Sequence, residues 1–132
     1  DPHPSELGLG AAVDYLTDVG VAKIHAHELS LLAYLLPRLQ EIPGVTVYGP
    51  KDLESRVGVV SFNIEGIHPH DVATIFDSEG LCVRAGHHCN QLLMTRLGVA
   101  ATTRASMYLY NTTGEMDALV SAIHTAKKVF GI

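Results

Sequence analysis

The 132-residue chain reads as an α+β fold: a small antiparallel or mixed sheet with helices packed on one face. Three observations predict it. Both ends carry apolar residues at helical spacing. The middle holds short runs that alternate apolar and polar residues. Turn signals punctuate those runs, giving the order α-α-β-β-α-β-α-β-α. Hydrophobic residues make up 47% and charged residues 17%, enough apolar material for the core of one domain. The net charge is −5 with scattered basic residues, which argues against a nucleic-acid binder. No stretch is long and apolar enough to span a membrane. The start, Asp1-Pro2-His3-Pro4-Ser5, lacks the basic-then-apolar pattern of a signal peptide. Two cysteines are no disulfide framework and fit a reducing cytoplasm.

Ser5 suits the N-cap of a first helix, with Leu9, Ala12, Val13 and Leu16 as its apolar stripe and Gly20 as its end. A second, longer helix runs from about Val21 to Glu41, burying Leu29, Leu32, Leu36 and Leu39. Pro37 removes a hydrogen bond inside it and predicts a kink or an early end. Pro43-Gly44 is a turn, and Val45 to Tyr48 a short strand. Leu53 to Arg56 is ambiguous. Val57 to Ile64 is a strong strand, with Val60, Phe62 and Ile64 on one face. His68-Pro69-His70-Asp71 opens a helix that turns Val72, Ile75 and Phe76 inward; the histidines read as capping or surface residues. Leu81-Cys82-Val83 reads as a strand with Cys82 as a small buried hydrophobe. A short helix follows Asn90 and ends near Gly98, and Thr103 to Tyr110 is the last strand. Thr112 and Glu115 form a capping box for the final helix, which buries Met116, Leu119, Val120, Ile123 and Phe130.

Reactive chemistry concentrates in Arg84-Ala85-Gly86-His87-His88-Cys89. A neighbouring cation or a helix N-terminus favours the thiolate, the nucleophilic form of cysteine. Cys89 has Arg84, His87 and His88 close in sequence and a short helix behind it, so it reads as an activated nucleophile. A zinc site is disfavoured. Neither C-x2-C nor H-x3-H spacing occurs, and adjacent His87 and His88 are poorly placed to share one ion. His87 and His88 either tune thiolate formation and move a proton or merely pack the loop. Arg104, on the polar face of the last strand, reads either as a carboxylate clamp or as a surface salt bridge. If that strand neighbours the one carrying Arg84, Arg104 and Cys89 converge on one small substrate.

The pair Arg84 to Cys89 and Thr103-Arg104-Ala105-Ser106-Met107-Tyr108-Leu109-Tyr110-Asn111-Thr112 resembles the C-terminal part of the group II, SufS-like cysteine desulfurases of the class V aminotransferase superfamily. Gly66 to Val72 also matches, and the resemblance runs from about Leu7 to the end. Asn90-Gln91-Leu92 departs from the Ala-Gln-Pro of many relatives.

The resemblance implies the C-terminal small domain, residues 1–132, of a fold-type I enzyme whose large domain binds pyridoxal phosphate. It is met here as an excised or separately expressed piece with that large domain absent. It implies that L-cysteine forms an imine with the cofactor, Arg104 holds its carboxylate, and Arg84 closes the site or holds the loop. Cys89 then takes the sulfur as a persulfide and L-alanine leaves. Its implied partners are a sulfur-acceptor protein of iron–sulfur cluster assembly and, in full-length form, a second copy in a homodimer. Lys23, Lys51, Lys127 and Lys128 match no cofactor-lysine motif, so the chain alone is expected to bind no pyridoxal phosphate and to be inactive. The alternatives are a freestanding sulfur-accepting or metal-binding module, or selenocysteine as substrate.

Overall fold

The computed structural model describes residues 3–132. Its elements are α1 (Pro4–Val19), α2 (Val21–Glu41), β1 (Val45–Tyr48), a 3-10 turn (Leu53–Ser55), β2 (Val59–Ile64), α3 (Pro69–Ser78), β3 (Arg84–Gly86), α4 (Gln91–Leu97), β4 (Thr102–Ser106) and α5 (Thr113–Phe130). The element order is the one expected, and the fold is α+β. The strands lie in the order β1-β2-β4-β3, and all neighbours are antiparallel.

The core lies between one sheet face and α2, α3 and α5. Alternation along β2 sends Val60, Phe62 and Ile64 inward, where Phe62 meets Phe76 of α3 with ring centroids 6.2 Å apart. Leu31, Leu32, Leu35 and Leu39 of α2 and Met116, Leu119 and Ile123 of α5 complete it. Short α4 lies over the opposite face, beside Val59, Ser61 and Arg104. Helices α2, α3 and α5 thus share one face, as expected, while short α4 sits on the other and α1 lies against α2.

Local details differ from expectation for physical reasons. Proline is preorganised for the first helical position, so α1 opens at Pro4 and its cap falls on His3, not Ser5. The Glu6 carboxylate accepts the His3 N–H at 3.2 Å. The stripe of α1 stays largely uncovered, with Leu9 68% and Val13 54% exposed. Helix α2 passes through Pro37 to Glu41, because buried Leu35, Leu36 and Leu39 hold the helix on both sides of the proline. Strand β4 stops at Ser106, and the Asn111 side chain accepts the Tyr108 N–H at 2.7 Å, closing a turn where more strand was expected. Phe130, expected inside, is 43% exposed at the last residue of α5, while Ala122 and Ala126 fill the buried face.

Gly58 joins α2 to the sheet. Its carbonyl accepts the Met107 N–H at 2.7 Å, and its N–H donates to Glu28 at 3.4 Å. A Cβ there would stand 2.5 Å from the Met107 carbonyl oxygen and 2.9 Å from the Glu28 carboxyl carbon. Backbone cannot yield cheaply, so Gly58→Ala is expected to destabilise by about 1–3 kcal/mol, the usual cost of overpacking. A lowered urea midpoint at unchanged m-value is the check.

Candidate active site

The site sits where edge strand β3 leaves the sheet. Gly86 has φ 131, which a Cβ would resist, and lets the chain turn off the strand. His88 and Cys89 follow at φ 54 and φ 60, two consecutive non-glycine residues in the left-handed region. Each such residue costs about 1–2 kcal/mol over the right-handed form. The Asn90 N–H donates to the His87 carbonyl at 2.8 Å, closing the turn. Asn90 then caps α4, its side chain accepting the Leu93 N–H at 3.4 Å. Cys89 is thereby presented exposed, one residue ahead of the helix cap, as its neighbours in sequence suggested.

Arg84, which reaches the thiol, has a second arginine as its neighbour in the sheet. Arg84 and Arg104 are register partners on β3 and β4, so like charges lie directly opposite. That arrangement destabilises a sheet unless an anion compensates. Among the described residues, neither arginine lies within ion-pairing distance of a carboxylate. The surface salt bridge considered for Arg104 is therefore not there. Arg104 is half-buried, and its Nε lacks a hydrogen-bond partner. Arg84 Nη2 donates to Cys89 Sγ at 3.8 Å, placing positive charge against the sulfur.

His88 turns inward and His87 outward. His88 Nε2 lies 2.9 Å from Thr102 Oγ1 and 3.1 Å from the Thr102 carbonyl, while buried Nδ1 has no partner. Burial holds the imidazole below its ordinary pKa; the bond to the Thr102 backbone pushes back, and the Arg104, Arg84 and His87 charges push it down further. His87 is exposed. A cavity of about 470 Å³ opens over this face, lined by His88, Thr102, Arg104, Leu93, Met94 and Tyr48 among others. Cys89 does not line it, so His88 and Arg104 share the cavity while Arg84 alone reaches the thiol.

Cys82 corrects an expectation. Leu81 to Val83 lies just before β3, outside the hydrogen-bonded strand, and Cys82 is exposed. Leu81 and Val83 pack inward, so the period-two rule turns the residue between them out. Sequence reasoning also missed Thr102. Its signal was available, because a residue two before Arg104 shares its face of the strand.

The sequence matches the Aminotransferase class-V family over residues 2–119. The chain belongs to that family. Within the class V aminotransferases, it is 54% identical over 125 residues to a probable cysteine desulfurase of Halalkalibacterium halodurans, covering 95% of this chain and 30% of that protein. A cysteine desulfurase of Haloferax volcanii is 46% identical over 98% of this chain and 30% of its own length. Among solved structures, the apo cysteine desulfurase of Thermococcus onnurineus superposes with TM-score 0.88 at 38% identity, covering 92% of this chain and 30% of that one. The Escherichia coli cysteine desulfurase CsdA superposes with TM-score 0.85 at 33% identity, with the same coverage of 92% and 30%. The chain therefore spans about 30% of the length of the relatives it matches. No described helix is long and apolar enough to cross a membrane.

Proposed function

We propose that this chain is the thiol-bearing small domain of a group II cysteine desulfurase, residues 1–132 forming that domain within a longer protein. The observation that carries the reading is an exposed thiol facing one arginine of a cross-strand pair that no described carboxylate neutralises. The substrate would be L-cysteine, which offers both a carboxylate for Arg104 and a sulfur for Cys89.

The Arg104 fork suits two parallel hydrogen bonds to the substrate carboxylate. With the carboxylate held, the Cys89 thiolate attacks the substrate's sulfur. A sulfur–sulfur bond forms and the carbon–sulfur bond breaks. Its electron pair stays with carbon, and a proton delivered there completes L-alanine. Arg84 holds charge at Cys89 Sγ, and exposed His87 is placed to exchange protons with solvent. The persulfide stays on an exposed residue, open to a sulfur-acceptor protein of iron–sulfur cluster assembly in the cytoplasm.

Pyridoxal phosphate, the family's electron sink, does not fit the described residues. Lys23, Lys51, Lys127 and Lys128 are the only lysines, and none lines the cavity at Arg104 and His88. The reading assigns the cofactor and its lysine to the rest of a longer, homodimeric protein.

The test is a single turnover of the full-length protein with L-cysteine, followed by peptide mapping. The Cys89 peptide should gain one sulfur atom as one L-alanine appears per site. Sulfur on Cys82 instead, or no alanine, overturns the reading.

A further inference from the structure

We propose that Thr102 is a positioning residue for the nucleophile: its two oxygens fix His88 as the neutral Nε2–H tautomer, and that bond holds the left-handed His88-Cys89 turn over Arg84. The proposal rests on Cys89 being the nucleophile, as read above.

Two successive left-handed residues persist only where the surroundings over-determine them. Backbone hydrogen bonding supplies one tether, from the Asn90 N–H to the His87 carbonyl. The bond from Arg84 to Cys89 Sγ is exposed and long, at 3.8 Å. What remains is His88 Nε2 on Thr102, at 2.9 Å from the hydroxyl and 3.1 Å from the carbonyl. Thr102 is 0% exposed, so its side of this contact is buried and its position is set by the sheet, where Thr102 pairs with Gly86.

The tautomer follows from the acceptor. A carbonyl oxygen only accepts, so the 3.1 Å contact is a hydrogen bond only when Nε2 carries the hydrogen, which the hydroxyl oxygen then shares. The opposite tautomer could take a hydrogen bond from the Thr102 hydroxyl, but it would set the Nε2 lone pair against the carbonyl oxygen and leave a buried Nδ1–H without a partner. Adding a proton to Nδ1 would bury an unpaired charge close to Arg84 and Arg104. This separates two adjacent histidines: His88 anchors the loop, and a proton role falls to exposed His87.

Two measurements on the full-length protein test this without any turnover of L-cysteine, so a failed desulfurase reading leaves them intact. The first is the nitrogen-15 spectrum of labelled histidine at neutral pH, with the His88 signals assigned by their loss in His88→Gln. A hydrogen on Nε2 and a bare Nδ1 are expected; a hydrogen on Nδ1, alone or with Nε2, overturns the proposal. The second is the iodoacetamide rate at Cys89, with exposed Cys82 as the internal control for folding. Thr102→Val should slow Cys89 by roughly 2- to 12-fold, the equivalent of one neutral hydrogen bond, at an unchanged Cys82 rate. Thr102→Ser should restore it. His88→Gln, which keeps a side-chain donor, should stay closer to the unsubstituted rate than His88→Leu. An unchanged Thr102→Val rate, a Thr102→Ser rate as slow as Thr102→Val, or equal losses in His88→Gln and His88→Leu would each overturn it.

Discussion

Cys89→Ala in the full-length protein is expected to lower L-alanine formation from L-cysteine by more than about a thousandfold, the scale of removing a nucleophile. The sulfur has no other acceptor in the site as described. Arg84 faces Cys89 Sγ, and the other thiol, Cys82, contacts neither Arg84 nor the cavity at Arg104. Cys82→Ala is the matched control. Cys82 is also exposed, but it lines a different cavity, with Met107, Tyr110 and Leu119. Its loss should leave the rate within a factor of a few. Equal losses in the two variants would mean that the thiol of the Arg84 loop is not the acceptor. The alanine variant also relaxes the turn less than a redesign would, since alanine keeps the Cβ of cysteine at φ 60.

Arg104→Ala should cost about a hundredfold or more in kcat/KM, mostly through KM. Two hydrogen bonds from a guanidinium to a carboxylate contribute about 1.5–3 kcal/mol each, and they hold the substrate in ground and transition states alike. Arg104→Lys keeps the charge but loses the planar fork, so it should recover part of the loss and not all of it. Stability supplies a second readout. Arg84 and Arg104 are paired across β3 and β4 with no carboxylate of the described residues on either. Removing one relieves that repulsion, so Arg104→Ala should unfold at the same or a higher urea concentration while KM rises. A parallel fall of stability and activity would make Arg104 a structural residue.

Elements with their own punctuation were legible along the chain. Gly20 separates two helices, Pro43-Gly44 turns into β1, and Thr112 with Glu115 starts α5, because each signal supplies the hydrogen bonds of its own segment. The inward set Val60, Phe62 and Ile64 followed from alternation alone. Segments without such local bookkeeping were misread. Leu81 to Val83 has strand-like residues but pairs with no neighbour, and Tyr108 to Tyr110 bends because Asn111 takes a backbone N–H.

For the site, residue types and spacing pointed to Cys89 and Arg84, since a thiol beside cations needs only nearby residues to be recognised, whereas for Arg104 they left a carboxylate clamp and a surface salt bridge both open until the family resemblance favoured the clamp. Their relation to one another needed the fold. Strand order β1-β2-β4-β3 sets Arg84 opposite Arg104 across nineteen intervening residues that carry α4, and sequence spacing says nothing about that register. The same pairing brings Thr102 under His88 and leaves Cys82 exposed. Helix and turn signals act within a few residues, whereas partners across a sheet are chosen by the packing of the whole core, which is why the candidate thiol could be read from the chain and the residues packed around its loop could not.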